Sequence, residues 1–211
     1  MGFLIAVEGI DGAGKTTIAY YIRDILQKLG FKAEVLKEPS DSEYGKILKR
    51  WDRLDPQKEL ELFILDRKED VARNILPRLE KCVTVIMDRY YYSSVAYQGA
   101  LGIDPEKILR INEEFAPKPD LTILLDISPE IAVERIKKTR TLTKFEDIEY
   151  LRKVREIYLS LNSDEIRRVD ASKSIEEVKE DCHILLLELL SSSSFWEFKL
   201  RWKFSNTIAD N

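Results

Sequence analysis

The chain of 211 residues has little of what builds metal centres: two cysteines and one histidine. Cys82 and Cys182 lie far apart, no Cys-x-x-Cys pair occurs, and His183 is the lone imidazole. That usage gives no support to a zinc site and predicts two buried or half-buried thiols. No apolar run approaches the ~20 residues that a membrane span needs, and no basic-then-apolar leader precedes the first strand-like run. Positive charge is not in excess either. Lys plus Arg is 34 and Asp plus Glu is 38, a net charge of −4, which argues against a nucleic-acid binder working through bulk positive charge. Internal repeats and low-complexity linkers are also lacking, and the length suits one substantial core rather than two ordinary domains. The expectation is a cytoplasmic protein with neither membrane nor nucleic acid as partner.

What is present is concentrated near the start. Gly9-Ile10-Asp11-Gly12-Ala13-Gly14-Lys15-Thr16-Thr17 fits the phosphate-loop pattern GxxxxGK[ST]. The apolar run Phe3–Val7 precedes it and a helical pattern from Thr16 to Leu29 follows. In that setting the glycines let the backbone turn its N–H groups onto a polyphosphate. The helix N-terminus adds its positive dipole end, Lys15 a point charge, and Thr16 a hydroxyl for Mg²⁺.

Further along, Phe3–Glu8, Ala33–Lys37, Val83–Asp88, Leu121–Ile127 and, most weakly, Arg167–Asp170 read as strands. Four of the five are apolar runs without clean alternation, as strands covered on both faces should be. Helical stretches lie between them. Gly30 is a C-cap candidate, and Asp55-Pro56, Asp104-Pro105 and Ser128-Pro129 are cap-then-proline openings. Ser174 and Glu177 have capping-box spacing. The helical pattern from Pro56 to Lys81 is long, with Pro77 as a bend. Strands alternating with helices predict an α/β fold built on a doubly wound parallel sheet. The domain is expected over residues 1–190, followed by a distinct tail at 191–211. There Trp196, Phe198, Leu200, Trp202 and Phe204 alternate with Glu197, Lys199, Arg201 and Lys203. A period of two describes a strand with one apolar face, to be covered by the parent domain as an added edge strand or by another chain.

Phosphoryl transfer also needs a metal-side carboxylate and clustered cations. Asp88 closes the apolar run Val83–Met87 as a Walker B aspartate does, and Arg89 follows directly. Phe63 and Arg67, four apart on a helical pattern, share a face and could stack on and hydrogen-bond a base; a core phenylalanine beside a surface arginine would leave the same trace.

The segment Asp88-Arg89-Tyr90, then Ser93-Ser94, then Ala96-Tyr97-Gln98-Gly99, resembles the thymidylate kinase (dTMP kinase) family. The loop EGIDGAGKTT, the Lys37-Glu38-Pro39 turn, the Leu62-Phe63…Asp66-Arg67 helix, Pro117–Asp120 and Val169–Ala171 match it in order and spacing. The likeness runs from residue 3 to about 190. It implies a five-stranded parallel P-loop kinase sheet in order 2-3-1-4-5, with helices on both faces. The activity it implies is transfer of a phosphoryl group from ATP to dTMP with Mg²⁺, commonly by a homodimer. By the same resemblance, Phe63 stacks on thymine, Arg67 reaches its O4, and Ser94 and Gln98 read the rest of the edge. Tyr97 crowds the sugar 2′ position, and Arg89 holds the acceptor phosphate. Glu38, Asp11, Lys37 and Lys49 lie about the acceptor, and Lys15 stabilises the transferring group. Thr16 and Asp88 serve the metal. No strong general base is needed, since the acceptor is already an anion.

The chain also departs from the family pattern. Lys37 and Lys49 stand where bacterial-type relatives carry arginines, which loses bidentate geometry. Gly12 replaces a loop arginine found in some members, so the second catalytic cation is expected from a lid at about 135–147, where Arg135, Lys137, Lys138, Arg140 and Lys144 cluster. Spacing from Phe145-Glu146 favours Arg140 and Lys144, with Glu146 near the acceptor or metal. Phe145 stands in place of a tyrosine. Two other functions compete with the main reading. One is a same-fold kinase acting on another monophosphate, or on a deoxynucleoside hydroxyl with Glu38 as base. The other is a nucleotide-responsive binding protein with little turnover.

Overall fold

Five short strands form a single sheet in the computed structural model, which describes residues 2–50, 55–138, 141 and 147–191. They are β1 (Leu4–Glu8), β2 (Ala33–Lys37), β3 (Thr84–Asp88), β4 (Leu121–Asp126) and β5 (Ile166–Asp170). All neighbours run parallel, in the order β2-β3-β1-β4-β5, as the resemblance implied. Every residue of β1 and β3 is buried, whereas the edge strands β2 and β5 each bury one side chain fully and leave the rest half-buried or exposed. The central strands therefore read as continuous apolar runs and β5, written Ile-Arg-Arg-Val-Asp, hardly reads as a strand at all.

The intervening helices are α1 (Lys15–Lys28), α2 (Glu43–Arg50), α3 (Pro56–Asp70), α4 (Leu76–Glu80), α5 (Tyr91–Ala100), α6 (Pro105–Glu113), α7 (Pro129–Lys137), α8 (Ile148–Ser160) and α9 (Ile175–Ser191). Their ends follow local chemistry. Asp55 and Asp104 accept first-turn N–H groups of α3 and α6, and Ser128 does so for α7. Ser174 and Glu177 exchange the two bonds of a capping box, Ser174 N–H to Glu177 at 3.1 Å and Glu177 N–H to Ser174 Oγ at 3.3 Å. α1 stops at Gly30, whose φ of 87° is open to glycine. Phe31 N–H bonds back to Leu26 O there, and Gly30 N–H to Gln27 O, a Schellman closure. The long pattern from Pro56 is interrupted as Pro77 suggested, but through a π-turn at Val71–Ile75. Pro77 has no N–H for the Arg73 carbonyl, and widening the preceding turn relieves the clash of its ring with that turn.

Register places the chemistry. Val7 lies beside Asp88, and Asp88 beside Lys37, so the carboxyl ends of β1, β3 and β2 finish at one level. Three loops leave from that edge: Gly9–Gly14 into α1, Arg89–Tyr90 into α5, and Glu38–Ser42 into α2. Ligand sites of open parallel sheets form there, where the strands end and their order reverses. Cys182 is buried and Cys82 half-buried, both as free thiols. No helix among the described residues is long and apolar enough to cross a membrane. The tail from Ser192 to Asn211 lies outside the described residues.

Candidate active site

The Gly9–Gly14 loop wraps a cavity of about 370 Å³ lined by Gly12, Gly14, Lys15, Thr16, Thr17, Lys37, Asp88 and Arg135, with Asp11 and Arg89 at its margin. Gly14 (φ 97°) is the N-cap of α1 and offers no side-chain cap, which leaves first-turn N–H groups to a ligand. Gly12 has no substitute: its φ is 82°, and a Cβ would lie 2.5 Å from the Ala132 carbonyl oxygen of α7. The close approach of α7 thus explains why no arginine stands at position 12. Lys15 is buried, with Nζ donating to Ile10 O at 2.8 Å. Burial and the nearby Arg89 guanidinium bring its ammonium down to about 8, against the pull of Asp11, Asp88 and Glu8. Thr16 donates to Asp88 Oδ2 at 2.5 Å, and Lys37 Nζ stands 3.4 Å from the same oxygen. A hydroxyl and a single carboxylate opening on a phosphate cavity are the hard-oxygen donors that Mg²⁺ takes alongside substrate phosphates.

Arg89 comes next, and its backbone is unusual. With φ at 74° it occupies the left-handed region, at a cost of roughly 1–2 kcal/mol for a residue bearing a side chain. Its N–H bonds to Val7 O at 3.1 Å, which ties the turn to β1. The guanidinium reaches Asp11 Oδ1 at 2.6 Å, Ser93 Oγ at 3.0 Å and Tyr97 Oη at 3.2 Å, and lies over the Tyr97 ring at 4.9 Å. Tyr97 in turn donates to Asp11 Oδ2 at 3.1 Å. Burial pushes the Asp11 carboxyl up, but Arg89 and Lys15 outweigh it and hold it well below the ordinary range.

A second cavity, of about 440 Å³, opens on the other side of this pair. It is lined by Glu38, Pro39, Leu48, Lys49, Glu59, Phe63, Arg67, Ser93, Ser94, Tyr97 and Gln98, again with Asp11 and Arg89. Its floor is Arg67, a fully buried guanidinium. Nε sits between the two Glu38 oxygens at 2.9 and 3.0 Å, and Nη2 also bonds that carboxylate. Nη1 donates to Asn112 Oδ1 at 2.6 Å and Nη2 to Ser94 Oγ at 3.1 Å. Burial raises the Glu38 carboxyl to about 7 despite Arg67. The loop carrying Glu38 is tied to α3 by Asp66, which accepts from Ser40 N–H at 2.8 Å and from the hydroxyls of Ser40 and Ser42. The phenylalanine and arginine that sequence could not tell from core and surface are therefore both cavity-lining.

Four residues that shape the site were given no role by sequence reasoning, although Glu8 and Asp66 stand inside quoted motifs. Glu8, buried at the end of β1, accepts from Tyr90 N–H at 2.8 Å, Ser93 N–H at 3.2 Å, Ser93 Oγ at 2.6 Å and Tyr158 Oη at 2.9 Å, and so fixes the first turn of α5. Burial pushes its carboxyl up. Glu59, Asp66 and Asn112 are the others; each acts through a partner distant in sequence. Among the expected lid cations, Arg135 donates to Ala171 O at 2.8 Å and Lys138 pairs with Glu134 at 2.9 Å. Lys49 pairs with Asp41 at 2.8 Å. Arg140, Lys144, Phe145 and Glu146 lie outside the described residues.

The lowered Lys15 makes polyphosphate binding pH-dependent. An anion on Lys15 favours the charged ammonium, so binding above pH 8 must take up a proton, and affinity falls as pH rises. Titration calorimetry with a non-hydrolysable ATP analogue should give weaker binding at pH 9 than at pH 7, with proton uptake seen across buffers of different ionisation enthalpy. Equal affinity and no uptake would contradict the assignment.

The thymidylate kinase family model matches residues 7–182. Among curated proteins the chain is 56% identical over 190 residues to a "Probable thymidylate kinase" of Archaeoglobus fulgidus, covering 89% of this chain and 96% of that one. A "Probable thymidylate kinase" of Pyrococcus horikoshii is 43% identical, over 85% of this chain and 93% of its own. The "Thymidylate kinase" of Brachyspira hyodysenteriae is 39% identical, over 85% and 91%. With the P-loop sheet, the paired cavities and this extent of similarity together, the chain belongs to the thymidylate kinase family.

Proposed function

We propose that the protein transfers the γ-phosphoryl group of ATP to dTMP, giving ADP and dTDP. One observation carries this reading: two anion-accepting cavities meet at Arg89 and Asp11. The first is a phosphate loop, and the second ends in an aromatic ring and a buried guanidinium, Phe63 and Arg67. A base stacked on Phe63 and facing Arg67 carries its 5′-phosphate to Arg89, while the donor's phosphates lie along α1 and Lys15. An acceptor phosphate oxygen then forms the new P–O bond, and the bond from γ-phosphorus to the bridging oxygen breaks, leaving its electron pair on ADP. The transferring group carries spread negative charge. Lys15 and Arg89 hold positive charge against it, and Asp11 keeps Arg89 aimed between the two phosphates. Thr16 and Asp88 would hold Mg²⁺, which neutralises donor phosphate charge when bound. Tyr97, which lines the second cavity and packs across Arg89, is read as the ring that would crowd a ribose 2′-hydroxyl and so favour deoxyribose. Lys37 and Lys49 are read as further phosphate contacts, and Arg140, Lys144 and Glu146 as lid residues.

A deoxynucleoside acceptor would need a carboxylate base. The candidate, Glu38, is engaged by Arg67 through both oxygens, and this favours the monophosphate. We also read the protein as a cytoplasmic homodimer. Free Cys82 and Cys182 suit a reducing compartment. Ile47 of α2 and Leu65 of α3, exposed on two helices that pack together, supply apolar surface for a partner copy. Light scattering should return twice the chain mass; the single-chain mass would contradict the dimer.

The activity is tested with ATP, Mg²⁺ and each nucleoside monophosphate in turn, with thymidine alongside. dTMP should be preferred over AMP, CMP and GMP by about 10²-fold or more in kcat/KM, thymidine should be inert, and chelation should stop turnover. Lys15→Met should lower kcat by about 10²–10³-fold, as loss of a preorganised charge contact does. Preference for thymidine or for another monophosphate would overturn the reading.

A further inference from the structure

In the wall of the second cavity, the Gln98 amide is held from one side only. Its Nε2 donates to Glu59 Oε2 at 3.1 Å. Its Oε1 is buried and has no hydrogen-bond partner among the described residues. Both side chains are themselves buried, Gln98 at 2% and Glu59 at 5% exposure, and both line the cavity. A carboxylate only accepts hydrogen bonds, whereas a glutamine amide has a donating end and an accepting end of nearly equal shape. The reversed amide would set oxygen against carboxylate oxygen at 3.1 Å. Of the two ends of the Gln98 amide, only the NH₂ can therefore face Glu59, and the carbonyl is left for the ligand.

We infer that Glu59 is the residue that sets pyrimidine choice, by locking Gln98 with its carbonyl as the acceptor offered to the base. This rests on the thymidylate-kinase reading and goes one step deeper into it. Arg67, one helical turn of α5 away through Ser94, can only donate. The wall consequently presents a donor and an acceptor in a fixed order. A base bearing C4=O and N3–H, thymine or uracil, meets both. Cytosine, with a C4 amino donor and an N3 acceptor, meets neither, so a buried donor faces a donor and an acceptor faces an acceptor. Such mismatches between buried polar groups discriminate far more strongly than a lost methylene does. Glu59 touches no reacting atom. It is a positioning residue whose effect passes through one rotatable amide.

Glu59→Gln keeps the shape and gives position 59 a donor of its own, so the Gln98 amide can turn over. The ratio of kcat/KM for dTMP to that for dCMP should fall at least about tenfold, mostly through a higher KM for dTMP rather than a change in kcat. Glu59→Asp, which retains an acceptor-only group, should keep the larger part of the wild-type ratio. In a Gln98→Met background the ratio should already be low, and adding Glu59→Gln should not move it further, since the two residues act as one unit. An unchanged ratio in folded Glu59→Gln would overturn the inference. So would equal loss in Glu59→Asp and Glu59→Gln, or a Glu59 effect that survives in the Gln98→Met background. Should Glu59→Gln not fold, the Glu59→Asp ratio decides alone, retention supporting the inference and collapse overturning it. Wild-type protein inert on dTMP would instead sink the proposed function itself.

Discussion

Arg89 sits at the meeting point of two cavities because β3 ends beside β1 in register, and because the chain accepts a left-handed backbone at the first residue past the strand. The side chain is then fixed from three directions by Asp11, Ser93 and Tyr97. Removal of any one would let a long, charged side chain swing at the meeting point of the two cavities. Asp11 belongs to the phosphate loop, Ser93 and Tyr97 to α5, and α5 is itself seated by Glu8 at the end of β1. The junction thus couples the central strands to both ligand cavities, and the strain at one residue is held in place by the register of the sheet.

Electrostatic balance follows the same plan. Lys15 and Arg89 are cations held close together in a poorly solvated site, which lowers Lys15, while Asp11 and Asp88 compensate them. Both cations are held by the protein's own oxygens: Lys15 by the Ile10 carbonyl and Arg89 by Asp11. Charges fixed in this way before any ligand arrives are the kind that can act on a transferring group without reorganising. The Arg67–Glu38 pair is the equivalent in the second cavity. A buried guanidinium would be costly without a carboxylate beneath it, and the pairing engages both Glu38 oxygens.

Much of this was legible in the amino-acid order, and the legible part is local. The phosphate loop is readable because glycine at positive φ and the Lys-Thr pair at a helix start are demands on consecutive residues. β1 and β3 are readable because strands covered on both faces are apolar throughout, and Asp55, Asp104, Ser128 and Ser174 announce helix starts through side chains that bond within their own turn. What was not legible is tertiary. Glu8 and Asp66 stand within recognisable motifs and Glu59 and Asn112 within none, but the role of all four was hidden, since each acts through a partner 26 to 150 positions away. β5 was faint because an edge strand with most of its side chains in water carries arginines freely. The π-turn before Pro77 is a backbone accommodation that composition does not encode.

The central claim is that one guanidinium, Arg89, joins a base-reading cavity to a phosphate-loop cavity. A crystal structure with a bisubstrate ligand, adenosine linked through a chain of phosphates to the 5′ position of thymidine, tests it most directly. The account predicts thymine stacked on Phe63 and facing Arg67, the phosphate chain crossing Arg89 and running onto Lys15 and the Gly14–Thr17 turn. Thymine lodged away from Phe63 and Arg67, or a phosphate chain that bypasses Arg89, would contradict it.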